Sequence, residues 1–298
     1  MPLETVPLKT LPLDPYPAAY RDQGQGPPLI FLHGFLGSST NWNPIVQPLC
    51  SHYRCLAVDL LGFGGSAKPA LKYTIWHQIA FLQQFITALD LKDFHLVGHS
   101  YGGWTAAAYA IAAAAPAAPT WPPAALPPLG AASPASPRCL TLIAPAGIRD
   151  DSFVGRYSHL RPMLWETPLV DWALKAIAPL ARLLNQQAAF EQIYQVRTEL
   201  LKQPVAKSFL VDRLTPADAI DTVEQHLSAI AVPAQIIAAG LDSTIPLWHC
   251  QTYAEGIAGA RLTVLPQAEH DLIQTHSDAI AELISQHASR HPSQQEAR

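Results

Sequence analysis

Short apolar runs alternate with longer stretches of helical periodicity along most of the chain. The runs are Leu29–Leu32, Cys55–Val58, Phe94–Val97, Cys139–Ile143, Gln235–Ala239 and Leu262–Leu265. Each is leucine-rich or β-branched without clean alternation of apolar and polar positions, the pattern of strands buried on both faces. Ala18–Asp22 reads as an earlier antiparallel strand that turns through Gly24 and Gly26. Between the runs, Ile75, Ile79, Leu82, Phe85, Ile86 and Leu89 recur at spacings of three and four and predict a helix over Thr74–Leu89. Alanine-rich Tyr101–Ala115 predicts a second helix directly after a strand, and amphipathic Asp271–His287 predicts the last one. Strand and helix in alternation imply an α/β fold with a mostly parallel sheet and crossover helices.

Two segments break this rhythm. Ala112–Pro137 holds eight Pro and eleven Ala among 26 residues. Proline at that density forbids a regular helix or a central strand, so 116–137 reads as a surface insertion that Trp121 could pin. The second segment, 149–222, lacks a strand-like run. It carries helical patterns over Leu169–Leu184 (broken near Pro179), Ala188–Lys202 and Ala217–Ile230. A helical block between two strands of a parallel sheet reads as a lid. The expected organisation is therefore a core of residues 1–148 and 223–298, with a helical lid over 149–222.

Composition narrows the function more than the fold. The chain has 298 residues, 49% hydrophobic, with 14% charged and a formal net charge of −4. That is ample for a sizeable core and carries no basic footprint for nucleic acid or an anionic membrane. The four cysteines form no C-x-x-C pair and no His/Cys group has zinc spacing, so free thiols and no metal are expected. The longest apolar run, Ala106–Ala115, is too short to span a bilayer, and Met1–Thr10 lacks the features of a signal peptide. The expectation is a cytoplasmic protein, monomer or homodimer, without a cofactor or stable membrane insertion, acting on a small molecule.

The candidate chemistry begins where Phe94-His95-Leu96-Val97 runs into Gly98-His99-Ser100-Tyr101-Gly102-Gly103, a G-x-S-x-G between a strand and a helix. A hydroxyl on so sharp a turn is exposed, and the helix N-terminus beside it favours negative charge. Glycines two before and two after Ser100 let strand and helix approach closely. Acyl transfer also needs two backbone N–H donors aimed at the developing oxyanion. Tyr101, directly after the serine, and Phe35, in the loop His33-Gly34-Phe35-Leu36-Gly37-Ser38 after the first buried strand, are placed to supply them. His33 in that loop reads as an organiser of hydrogen bonds, and His33, Gly34, Trp104 and Trp165 as candidate substrate contacts.

These motifs, together with Asp59-Leu60-Leu61-Gly62-Phe63-Gly64-Gly65-Ser66, resemble the α/β-hydrolase superfamily in its lid-bearing serine hydrolase branch. The resemblance covers nearly the whole chain outside the proline-rich insertion. It implies an eight-stranded sheet and a triad in the order Ser, Asp, His, and it makes Asp59–Ser66 a structural loop near the site. The base then comes last. His270 follows the strand Leu262–Leu265 and opens a helix, with His276 ranked second. The acid is expected after the penultimate strand, where Asp242 stands; Asp150 or Asp151, after Cys139–Ile143, is the rival.

Together these residues point to a serine hydrolase that cleaves a neutral, largely apolar carboxylic ester. Phe35, Tyr101 and Trp104 would line its pocket, joined by Trp165, Trp172 and Phe190 from the lid. Haloalkane dehalogenases and epoxide hydrolases are similar but attack with aspartate, which Ser100 argues against. Carbon–carbon hydrolases and a menaquinone-pathway synthase keep the serine, although the synthase carries arginine where this chain has Trp104. Perhydrolysis uses the same triad. A ligand receptor of the same fold, with a vestigial site, is the rival outside enzymology.

Overall fold

In a computed structural model the described residues are 6–114, 134–150, 168–183, 186–201, 203–208 and 221–292. Contacts divide the chain into one unit of 1–67, 74–148 and 221–298, and a second of 68–73 and 149–220. Trp121, Asp151 and Trp165 lie outside the described residues. So does most of the expected 116–137 insertion; its exit is described, where Ala135 accepts a hydrogen bond from the Tyr109 hydroxyl at 2.9 Å.

The first unit is built on one eight-stranded sheet: β1 (Lys9–Leu11), β2 (Ala18–Gln23), β3 (Pro28–Leu32), β4 (Arg54–Val58), β5 (His95–His99), β6 (Cys139–Ile143), β7 (Ala234–Ala239) and β8 (Arg261–Leu265). Their spatial order is β1-β2-β4-β3-β5-β6-β7-β8. Antiparallel pairing is confined to β1–β2 and β2–β4, and all other neighbours are parallel. Among the described residues the helices of this unit are α1 (Asn43–Leu49), α2 (Ile75–Ala88), α3 (Tyr101–Ala114), then α7 (Leu247–Gly256), α8 (Leu272–Thr275) and α9 (Ser277–Arg290). The labels α4 to α6 belong to the second unit.

The continuous apolar runs follow from burial on both faces. Leu29, Phe31, Val97, Ile143 and Ile237 face a core with Trp42, Ile45, Ile280 and Ile284 of the α1 and α9 side. Helix α3, which packs against β3, β5 and β6, is buried from Tyr101 to Ala112, and its alanines let it lie close to the strands. Burying each large apolar side chain of this core contributes about 1.5–3 kcal/mol. One buried polar group bridges the layers: Gln235 Nε2 donates to Thr141 Oγ1 and to the Leu283 carbonyl, both at 3.0 Å.

The second unit, taken by itself, contains α4 (Pro168–Leu183), α5 (Gln187–Leu201) and α6 (Pro204–Lys207) among its described residues. Its short segment 68–73 is tied in where the Tyr73 N–H donates to Ser208 Oγ at 2.7 Å.

Several elements differ from the sequence expectation. Helix α4 continues through Pro179 to Leu183 and is not broken there. The helix expected over Ala217–Ile230 is absent from its described part, where Asp221–Ile230 forms turns and a 3₁₀ segment at Leu227–Ala229. Its backbone groups are engaged elsewhere: the Val223 N–H bonds Gly147, and the Asp221 carbonyl accepts the Trp104 indole N–H at 3.2 Å. The closing helix is two helices, α8 and α9, that meet at His276 with φ −126°. Strand β1 has three residues and no apolar period; pairing to β2 and the Lys9–Asp22 ion pair hold it.

Candidate active site

The C-terminal ends of the parallel strands gather the sequence candidates, as open α/β sheets do. Strand β5 ends at His99, and Ser100 follows with φ +52° before α3 begins at Tyr101. A non-glycine residue held there costs about 1–3 kcal/mol, so surrounding contacts must hold it. They do: the Ser100 N–H donates to Ile143 at 2.9 Å, and the Ser100 carbonyl accepts from Trp104 and Ala146 at 3.0 Å each. The following Gly102 is required by close approach, since a Cβ there would lie 2.1 Å from the Leu32 carbonyl oxygen.

His270 arrives on the loop between β8 and α8. Its Nε2 lies 3.0 Å from Ser100 Oγ, and its Nδ1 lies 2.7 Å from Asp242 Oδ2. An Nδ1–H donating to the carboxylate leaves Nε2 unprotonated, facing the serine hydroxyl. Asp242 follows β7, and its side chain is fully buried. Burial alone would raise its pKa. The hydrogen bond and charge of His270, with the Ile245 and Thr244 N–H groups, outweigh that and hold the carboxyl below its ordinary value. Those two N–H groups donate to Asp242 Oδ1 at 2.8 Å each, which fixes the carboxylate plane. His276, the second-ranked base, has its Nδ1 against Thr275 Oγ1 at 3.0 Å, and the carboxylate that meets His270 is that of Asp242.

The loop after β3 lies against the serine: a Cβ on Gly34 would stand 3.3 Å from Ser100 Cβ and 3.1 Å from His99 Nδ1. Phe35 follows, then Leu36 with φ +60°, and the Gly37 N–H closes the turn on the Gly34 carbonyl at 3.0 Å. The Phe35 and Tyr101 rings lie 6.2 Å apart, edge-on to each other, and both are edge-on to or tilted against Phe63. Asp59 holds the loop from behind by accepting the Ser39 and Gly65 N–H groups, and Ser66 Oγ donates to the Asp59 carbonyl.

Two expected substrate contacts commit their polar ring atoms within the protein. His33 is fully buried; its Nδ1–H donates to Gly34 at 2.7 Å and its Nε2 accepts the Leu60 N–H at 3.0 Å. Burial holds its pKa below the usual value. Both ring nitrogens are committed to loop architecture, leaving none for a ligand. Trp104 is likewise buried, its indole N–H given to the Asp221 carbonyl and its ring set against Gly147. It anchors the loop after β6. Trp165 lies outside the described residues.

His99 was missed by sequence reasoning. Its Nε2–H donates to the His270 carbonyl at 3.0 Å, and the two rings lie 5.0 Å apart. The one available signal was its place beside Ser100. Among the described residues no group of three or more His, Cys, Asp and Glu could hold a metal ion.

The sheet order, the sharp turn at Ser100 and the groups converging on it are those of the α/β-hydrolase fold, and the family model described as "alpha/beta hydrolase fold" matches residues 27–118. A haloalkane dehalogenase of Agrobacterium fabrum is 43% identical over 81 residues, which span 27% of this chain and 27% of that protein. The match thus covers little more than a quarter of that relative's own length. The human monoacylglycerol lipase ABHD6 is 26% identical over 275 residues, spanning 88% of this chain and 75% of the lipase. A crystal structure of a hydrolase from Pseudomonas aeruginosa PA01 has a TM-score of 0.67 at 21% identity, covering 94% of this chain and 97% of that one, and shares the fold.

Proposed function

We propose that the chain is a serine hydrolase that cleaves a neutral, largely apolar carboxylic ester through an acyl-enzyme. The observation that carries this reading is the line from Asp242 Oδ2 through the His270 ring to Ser100 Oγ, at 2.7 Å and 3.0 Å, on a backbone bent to φ +52°. Ser100 attacks the ester carbonyl carbon while His270 Nε2 takes its proton. The tetrahedral oxyanion is received by the backbone N–H groups of Phe35 and Tyr101. The C–O bond to the alcohol breaks as His270 returns the proton to it. Water then gives its proton to His270, attacks the acyl carbon, and releases the acid and the serine hydroxyl. Asp242 keeps the imidazole in the required tautomer and offsets its charge in both halves.

The aromatic wall of Phe35 and Tyr101, backed by buried Phe63, supports a neutral and apolar acyl group. The likeness to a monoacylglycerol lipase over most of both chains supports an ester in preference to a haloalkane, and so does a serine at the nucleophile position. The helical insertion between β6 and β7 is assigned the role of a lid that selects among acyl chains.

The test is a chromogenic ester panel of graded acyl length, run with the wild type and Ser100→Ala. Turnover that the substitution abolishes supports the reading. Equal turnover by both proteins rejects the nucleophile, and turnover of vinylogous diketones but not esters moves the reading to carbon–carbon bonds.

A further inference from the structure

His99 is 7% exposed and stands immediately before Ser100. Its ring is wedged between two parts of the site. On one side Nε2–H holds the main-chain carbonyl of His270 at 3.0 Å, 171 residues away in sequence. On the other, Nδ1 lies against Gly34, so closely that a Cβ there would stand only 3.1 Å from it. One side chain therefore spaces the oxyanion loop from the loop that carries the base.

We propose that His99 is a positioning residue: it tethers the His270 backbone and spaces it from the Gly34 loop, so that the His270 ring stays in line with both Ser100 and Asp242. The tether needs a proton on Nε2 and none elsewhere. Burial, then the neighbouring His270, push the His99 pKa down to about 3, so the ring stays neutral across the working range. A cation there would oppose the imidazolium that forms on His270 during each proton transfer, with the ring centres 5.0 Å apart. A hydrogen bond to the backbone, not to the ring, restrains where His270 stands and leaves its nitrogens free for chemistry. Misplacement of a reacting group by about 1 Å costs about 100-fold in rate, so the loss expected on cutting the tether is about 10-fold to 100-fold.

This inference rests on the reading of Ser100 and His270 as nucleophile and base, and the experiment separates the two. Three variants are compared: His99→Gln, whose amide nitrogen matches Nε2; His99→Asn, whose amide reaches only as far as Nδ1; and His99→Leu. The expected result is a fall in kcat for Leu and Asn of about 10-fold to 100-fold with KM little changed, and recovery of most of kcat in Gln. The proton NMR signal of the His270 Nδ1–H bound to Asp242 should broaden in Leu and Asn and sharpen again in Gln. A role in folding alone would lower the yield of active protein without moving that resonance. Wild-type kcat in Asn or Leu, or Gln no better than Asn, overturns the inference; should Leu not fold, the Gln–Asn pair decides it. If Ser100→Ala keeps its activity, it is the underlying reading that fails; if Ser100→Ala is inactive and His99→Asn is not, only the positioning role fails.

Discussion

Strand β5 carries a histidine near each end, and each end of the strand brings an imidazole against a side chain that could serve as a nucleophile. At the start, His95 Nδ1 lies 2.8 Å from Cys139 Sγ, directly opposite on β6. Past the end, His270 Nε2 lies 3.0 Å from Ser100 Oγ. The distances are alike and the chemistry is not. Cys139 sits in regular strand, 2% exposed, and burial pushes its thiol up to about 12. Burial pushes His95 down to about 4, further than the nearby Asp93 can restore, with His287, His291 and Arg138 adding to the fall. That pair stays neutral on both sides. At the other end the serine is bent out of its strand, the His270 side chain is 27% exposed, and a buried carboxylate stands behind it. Proximity of imidazole and nucleophile is thus common to both ends. Access, and a counter-charge for the imidazolium, belong to one.

The sharpest way to break this comparison is to exchange what each end loses. Ser100→Ala should lower kcat for ester hydrolysis by about 10⁴-fold to 10⁶-fold, while Cys139→Ser leaves it unchanged, read from steady-state rates on one chromogenic ester. Asp242→Asn comes next. By presenting the wrong partner to His270 Nδ1 it should lower kcat by about 10⁴-fold, whereas His95→Gln should leave kcat in place. A structural contrast follows. Gly102→Ala, whose new Cβ would lie 2.1 Å from the Leu32 carbonyl oxygen just behind the serine, should destabilise the fold by about 3 kcal/mol in urea denaturation.

The smallest effect is the pH dependence of stability from the inert end. Burial holds His95 and His287 each at about 4 in the folded protein, below the ordinary histidine value. The unfolded chain therefore binds protons first as pH falls. The stability these groups allow is complete above about 6.5 and declines from there towards pH 4. His95→Gln should flatten that decline in thermal melts taken across the window.

Much of the fold was legible because both-face burial writes itself into the chain. The runs over β3 to β8 and the helices α2 and α3 were readable within a residue or two. What escaped was held by tertiary contacts. Strand β1 has no pattern of its own, and Asp221–Ile230 spends its backbone groups on Gly147 and Trp104 instead of on a helix. In the site, residue types and chain order were enough to propose Ser100, His270 and Asp242. They gave no sign that His33 and Trp104 are buried and spend their ring N–H groups on loop carbonyls, because a ring next to a motif looks the same from sequence whether it faces a ligand or seals a loop. His99 left no trace beyond its position, since its partner is a main-chain carbonyl and main-chain partners have no sequence signature.

The account stands on Ser100 as the atom that becomes acylated. Mass spectrometry of the protein quenched during turnover of a slow aryl ester, or after treatment with a fluorophosphonate, reads this directly. The adduct should map to the peptide containing Ser100 at one equivalent per chain and vanish in Ser100→Ala. An adduct on Cys139 or any other side chain, or ester turnover with an unmodified Ser100 throughout, would contradict it.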